Sequence, residues 1–458
     1  MDLRNRRAVV LGLGVTGLSA ARFLTRHGAS VRVADTRAEP PCAAQLAAEL
    51  PSVALTTGAF TDSTFDDVDL IVTSPGVDVR QPPIAAALAR RVEWAGDIEL
   101  FARALPAGQR VLAVTGSNGK TTVATLTGAL LRAAGLYTEV VGNIGEPVLD
   151  VLAAHERGQA WPDVFVVELS SFQLEATTHL ATTAACVLNV SENHLDRYRG
   201  IDDYAAAKAR IFSGDGVQVL NRDDARSMAM RLPGRLLETF GADAPRADHE
   251  WGLVSQAGET WLARGATRML RSEALSLIGR HNVQNALAAL ALISTVTTID
   301  APVLAALAAF EGLPHRMERV AEIAGVLFVN DSKATTVAAT LAALEGIERP
   351  AALIAGGDGK GQDFTPLKAG VDVHCRAVVL LGRDAPIIAA ALSGAKPSVE
   401  FAPGLEAALK RAIAHARRGD AVLLSPACAS LDMFRDYIER GERFKAAVAG
   451  HAAEVAHA

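Results

Sequence analysis

Short apolar runs rich in valine, isoleucine and leucine recur along the chain. Each ends in a polar or glycine-bearing junction and is followed by a segment whose apolar positions fall three and four apart. That alternation predicts strand, turn and helix repeated many times, the pattern of a parallel α/β protein. Ala8-Val9-Val10-Leu11, Val31-Arg32-Val33-Ala34, Leu70-Ile71-Val72 and Val92-Glu93-Trp94 are the first strands, and Leu18, Ala21, Phe23 and Leu24 mark the first helix face. Val111–Val114, Thr138–Val141, Val164–Val167 and Ala185–Val190 form a second series, and Val326–Asn330, Ala351–Ala355 and Ala421–Leu424 a third.

Punctuation separates the series. A helix over Ile98–Ala104, capped at Gly96-Asp97, leads to Pro106 and Gly108. Gly312-Leu313-Pro314-His315-Arg316 breaks the helical pattern that Val283, Ala286, Leu287, Leu290 and Ile293 begin. With 458 residues, enough for about three domains, the expected division is 1–97, 98–312 and 313–458. The first and last read as Rossmann-like, and the middle as an ATPase-like domain with a mostly parallel sheet. Between Gly214 and Ser276 short strands and turns of mixed charge carry no recognisable chemistry.

Composition narrows the function classes. A formal charge of -6 without a basic stripe argues against nucleic acid as a partner. The four cysteines (Cys42, Cys186, Cys375 and Cys428) are scattered and form no disulfide framework, which fits a reducing compartment. Gly12, Gly14 and Gly17 interrupt the first apolar run, so it is no signal segment, and no stretch of about 18 uncharged apolar residues reads as a membrane span. The expectation is a soluble cytoplasmic protein.

Candidate chemistry concentrates at strand ends. Val111 to Thr122 reads as a buried strand running into Gly116-Ser117-Asn118-Gly119-Lys120-Thr121-Thr122. Its glycines free backbone N–H groups for phosphate oxygens, its lysine supplies charge and its threonine a hydroxyl for Mg²⁺. A full P-loop carries glycine where Val114 stands, so a tight structural turn with a solvated lysine is the competing reading. Gly12-Leu13-Gly14-Val15-Thr16-Gly17 with Asp35 after the second strand suggests a Rossmann unit, and taken alone it predicts NAD. The same turn can hold any diphosphate.

Glu168 closes a strand and suits a Mg²⁺ ligand, although an exposed strand-end carboxylate would look the same. His194, in Ser191–Tyr198, is either a metal or substrate ligand or a surface histidine. Lys208, on a helical stretch, reads as solvated, and Asn285 as a helix-start polar residue that could touch a nucleotide. Three further strand ends lead to Asp331-Ser332-Lys333-Ala334-Thr335, to Gly356-Gly357-Asp358-Gly359-Lys360 and to Ser425–Ser430. Three polar clusters, two with a lysine, suggest one crevice for an anionic substrate. A non-catalytic nucleotide-binding scaffold would make them dispensable loops.

Thr115–Thr121, Glu168-Leu169-Ser170-Ser171-Phe172-Gln173-Leu174, Gly279-Arg280-His281-Asn282, Leu313–Glu318 and Asn330–Thr335 together resemble the landmarks of the Mur ligases, ATP-dependent amide-forming enzymes of peptidoglycan synthesis. The resemblance runs through essentially the whole chain. Leu424–Asp432 resembles the D-glutamate-adding branch, and the first domain speaks against folylpolyglutamate synthase. Asn193 and Tyr437 depart from the pattern, standing where the family carries Asp and Phe.

The resemblance implies ATP bound by Gly116, Asn118, Gly119, Lys120, Thr121, Thr122, Asn285, Arg316 and Asp331. It implies two Mg²⁺, served by Thr121 with Glu168 and by His194 with a carbamylated Lys208, so that Lys120, His194 and Lys208 are the catalytic set. UDP-N-acetylmuramoyl-L-alanine would lie on Thr16, Asp35, Thr36, Arg37, Gly76, Asn143 and His194, replacing NAD. D-Glutamate would meet Lys333, Thr335, Lys360 and Ser430. A monomer is expected.

Overall fold

The computed structural model describes residues 2–192, 197–277 and 279–457. The apolar runs become strands of three sheets. The first holds β1 (Arg7–Leu11), β2 (Ser30–Asp35), β3 (Ala54–Thr57), β4 (Leu70–Thr73) and β5 (Glu93–Ala95) in the order β3-β2-β1-β4-β5, all parallel. Gly17 lets the helix Val15–Arg26 close on β1, because a Cβ there would lie 1.8 Å from the Gly12 carbonyl oxygen.

The second sheet contains β6 (Arg110–Thr115), β7 (Thr138–Gly142), β8 (Val164–Glu168), β9 (Ala184–Val187), β10 (Val217–Asn221), β11 (Leu237–Phe240), β12 (Glu250–Gln256), β13 (Glu259–Arg264) and β14 (Thr267–Arg271). Its order is β14-β13-β12-β11-β10-β9-β6-β8-β7, parallel except for the two pairings made by β13. The first two sheets share one core in which Phe101, from the connecting helix Asp97–Ala104, meets Phe165 of β8 edge-on at 5.2 Å.

The third sheet is built from β15 (Glu318–Ile323), β16 (Val326–Asn330), β17 (Ala351–Gly356), β18 (Cys375–Leu381), β19 (Ser398–Phe401) and β20 (Ala421–Leu424), in the order β15-β16-β20-β17-β18-β19. Only β15 runs antiparallel among these described strands. Leu327 and Val329 face one core and Phe328 the other, so both faces are covered by helices. The last strand, β20, lies between β16 and β17, which sets side by side the three loops that the sequence marks.

By packing, the chain forms two compact units, Met1–Ser272 with Gln284–Leu307, and Glu273–Val283 with Ala308–Ala458. The first two sheets belong to one unit and the third to the other. Three edge strands, β3, β15 and β19, escape the hydrophobic pattern because half or more of each is exposed or half-buried. β9 stops at Val187 rather than at Val190. Polar side chains replace the ladder beyond it: Asn221 Nδ2 donates to the Leu188 carbonyl at 2.8 Å, and the Asp224 carboxylate accepts from Val190 N–H at 2.9 Å.

Candidate active site

The strand β6 delivers the phosphate loop to the start of the helix Lys120–Ala133, whose N-cap, Gly119, is left-handed at φ +83°. An added Cβ there would sit 2.6 Å from Asn285 Oδ1, so Asn285 abuts the loop directly. Lys120 Nζ lies along the loop, donating to the carbonyls of Gly116 and Ser117 at 2.9 and 3.0 Å. Thr121 and Thr122 open the helix behind it. The N–H of Asn118 is occupied by Asn189 Oδ1 at 2.9 Å.

Glu168, 1% exposed at the end of β8, accepts through Oε1 from Asn143 Nδ2 at 2.9 Å. Its Oε2 is buried and has no hydrogen-bond partner among the described residues. A carboxylate oxygen deprived of water needs a cation or a donor, and here it stands in the same sheet as the phosphate loop. The residues therefore fit a Mg²⁺ held by one carboxylate, a hydroxyl from Thr121 and substrate phosphates, the usual mode for that ion. No cluster of three His, Cys, Asp or Glu occurs among the described residues.

Lys208 is not solvated. It is 1% exposed, donates from Nζ to the Gly116 carbonyl at 2.9 Å and lies 4.3 Å from the centre of the Tyr204 ring. Burial, helped by nearby Lys120, pushes its pKa down to about 6. His194, with Asn193, lies outside the described residues.

A second concavity, about 530 Å³, is lined by Thr16, Asp35, Thr36, Arg37, Gly76 and Asn143 together with the Gly12–Gly14 turn. Asp35 is 2% exposed and accepts from the N–H groups of Leu13 (2.6 Å) and Arg37 (2.8 Å) and from Arg37 Nε (2.9 Å) and Nη2 (2.6 Å). The Arg37 guanidinium, with the two backbone donors, holds its pKa down at about 2. With its oxygens so occupied, Asp35 orients the glycine turn and Arg37, and leaves no acceptor for the hydroxyl pair of a dinucleotide ribose. Asn143 lines this concavity and also binds Glu168, joining the two sites within one unit.

In the other unit the three marked loops are tied together. Asp358 and Ala429 exchange backbone hydrogen bonds (2.9 and 2.8 Å), and Asp331 accepts from Ser425 Oγ at 2.9 Å and from Met317 N–H at 3.1 Å. Burial raises Asp331 to about 7. Arg316 sits between His315 (φ 63°) and Met317 (φ 46°), while Lys360 (φ 51°) and Ala427 (φ 57°) are also left-handed, backbone strain gathered at one group of loops. Lys333 Nζ lies 5.1 Å from the centre of the Tyr437 ring, and Thr335 N–H donates to the Lys333 carbonyl at 2.9 Å. Ser430 is buried where the third loop turns, its carbonyl accepting from Phe434 N–H at 2.8 Å.

Sequence reasoning missed Arg440. It is 2% exposed and clamps two of these loops, donating to the Ser332 carbonyl (2.7 Å), Ser332 Oγ (3.0 Å) and the Cys428 carbonyl (3.1 Å). It also missed Asn189 and Tyr204. Polar residues of these kinds are common on helices and turns, and nothing in their spacing marks them.

Fold and site together define an ATP-dependent ligase of the Mur type, and the family models agree. The Mur ligase middle domain matches residues 114–293, the Mur ligase MurD-like N-terminal domain residues 6–96, and the Mur ligase glutamate ligase domain residues 315–428. The chain belongs to the Mur ligase family. Among individual relatives it is 52% identical to the UDP-N-acetylmuramoylalanine--D-glutamate ligase of Methylobacillus flagellatus, covering 98% of both chains. It is also 52% identical to the enzyme of that name from Thiobacillus denitrificans, covering 99% of this chain and 98% of the other. The fold is shared with MurF from Acinetobacter baumannii, with a TM-score of 0.59 at 18% identity over 97% of this chain and 91% of that one. Among the described residues no helix is long and apolar enough to cross a membrane.

Proposed function

We propose that this enzyme joins the L-alanine carboxylate of UDP-N-acetylmuramoyl-L-alanine to the amine of D-glutamate, consuming ATP, as a cytoplasmic monomer. The observation that carries the reading is Asn143, which lines the concavity suited to a diphosphate sugar and holds the carboxylate suited to Mg²⁺. Thr16, Thr36, Arg37 and Gly76 bind the UDP moiety, with Asp35 holding Arg37 in place. The three domains 1–97, 98–312 and 313–458 bind UDP-substrate, ATP and amino acid in that order.

Amide formation in water needs an activated carboxylate. Its oxygen attacks the γ-phosphorus of ATP, the bond to the β-phosphate oxygen breaks, and ADP leaves an acyl phosphate. The D-glutamate amine then attacks the acyl carbon, inorganic phosphate departs, and the nitrogen loses a proton. Lys120 binds the β- and γ-phosphates as charge moves onto the leaving oxygen. Glu168, Thr121, His194 and Lys208 would hold Mg²⁺, which neutralises phosphate charge when bound. Asn285, Arg316 and Asp331 contact the nucleotide. Lys333, Thr335, Lys360 and Ser430 offer cations and hydroxyls to the two carboxylates of the amino acid.

Lys208 carries a carbamate in this reading. A buried amine with a pKa near 6 is neutral at pH 7 and can add to CO₂, and the product is an anion suited to a metal where an ammonium would repel it.

Phosphate release from ATP in the presence of UDP-N-acetylmuramoyl-L-alanine, scanned across amino acids, tests the assignment. D-Glutamate is expected to support release. Release with L-lysine or L-alanine and none with D-glutamate would overturn it.

A further inference from the structure

The side chain of Asn189 does what a strand would do if β9 continued. The β6–β9 ladder ends at Thr115 opposite Val187. Leu188 N–H then donates to the Thr115 carbonyl and Ser117 N–H to the Asn189 carbonyl, both at 2.9 Å. Beyond that point the backbones part, and the Asn189 amide takes over. Its Oδ1 accepts from Asn118 N–H at 2.9 Å, and its Nδ2 donates to the Asn118 carbonyl at 3.2 Å. A primary amide presents donor and acceptor side by side, as a peptide unit does, so it adds one more rung to the ladder.

We infer that Asn189 is a positioning residue for nucleotide: its two-point hold on Asn118 sets the phosphate loop in its anion-binding form. The inference rests on the nucleotide site proposed above. Ser117 is held in parallel, its Oγ donating to the Ser191 carbonyl (3.0 Å) and accepting from Ser191 N–H (2.9 Å). With the amides of Ser117 and Asn118 so engaged, phosphate is met from Gly119 onward, at the helix N-terminus.

The clamp has a firm base. Asn221, Asp224 and Ser227 hold the Leu188 carbonyl (2.8 Å), Val190 N–H (2.9 Å) and Val187 carbonyl (2.7 Å). Asn189 itself is only half-buried, so truncating it opens no cavity in the core. Its loss acts on the loop rather than on the fold.

The test is calorimetric binding of ADP with Mg²⁺ to the full chain, with binding of UDP-N-acetylmuramoyl-L-alanine as internal control. Asn189→Ala is expected to weaken ADP about tenfold, as two neutral hydrogen bonds would, and to leave the UDP substrate within about twofold. Asn189→Asp keeps the acceptor for Asn118 N–H, but it loses the donor and puts negative charge beside the phosphates, so it should bind ADP more weakly still. Amide hydrogen exchange at Asn118 should speed up in Asn189→Ala, which removes the acceptor of its N–H, and not in Asn189→Asp, which keeps it. Wild-type binding of ADP with Asn189→Ala unchanged, or equal loss of both ligands, overturns this inference alone. Wild-type protein that binds no ADP overturns the nucleotide site and this inference with it.

Discussion

Lys208 Nζ donates to the carbonyl oxygen of Gly116 at 2.9 Å, across 92 residues of sequence. The helix carrying Lys208 thus reaches the first glycine of the phosphate loop. The carbamate proposed on Lys208 would contribute negative charge to metal binding. Lys208→Ala should lose at least about a hundredfold in kcat, the scale of a removed electrostatic group in a water-excluded site, and should recover partly with added formate or acetate. Lys120→Ala should lose activity without such rescue. Lys208→Arg should be inactive, since arginine forms no carbamate and stays cationic. A fully active Lys208→Ala would end the idea.

Asp35 links pH to stability. Its folded pKa, about 2, lies below the ordinary 3.8, so the unfolded chain binds more protons between those values. The stability it contributes is complete above pH 3.8 and disappears as pH falls toward 2. Urea unfolding should show Asp35→Asn less stable than wild type at pH 6, with the gap closing as pH falls below 4. Arg37 loses its partner in the same variant, so UDP-substrate affinity at neutral pH should fall, and NAD should bind neither protein.

Gly119 has no substitute in its place. At φ +83°, with Asn285 Oδ1 2.6 Å from a would-be Cβ, alanine must strain the backbone and displace Asn285 together. Gly119→Ala should lower kcat/KM for ATP by about a hundredfold or more, the scale of a misplaced reacting geometry. Binding of the UDP substrate, measured by calorimetry, should stay near wild type.

Arg440 works as a clamp through its fork of donors to the Ser332 and Cys428 carbonyls. Burial lowers its pKa to about 10, which still leaves it charged at neutral pH. A lysine cannot span both carbonyls in that geometry. Arg440→Lys should raise KM for D-glutamate about tenfold, the cost of buried acceptors losing a charged partner, and leave UDP-substrate affinity nearly unchanged. Steady-state kinetics with each substrate varied in turn separates the two.

What the sequence determined by itself is local. A strand running into Gly116–Thr122, a carboxylate closing Val164–Val167 and three polar clusters after apolar runs are each written in contiguous residues, because strand, turn and helix start obey short-range rules. The tertiary structure decided which of these meet. Strand order put β20 between β16 and β17 and so joined the three C-terminal loops, and no pattern within those segments specifies that order. Lys208, a solvated lysine by its sequence neighbours, is buried because its helix packs onto a loop distant in the chain. Asp35 sits where a ribose acid would, yet the folded turn and Arg37 occupy its oxygens. Asn189 and Arg440 have roles that exist only as hydrogen bonds between distant loops. Burial and long-range hydrogen bonding are properties of the packed chain, and a side chain's chemistry depends on both.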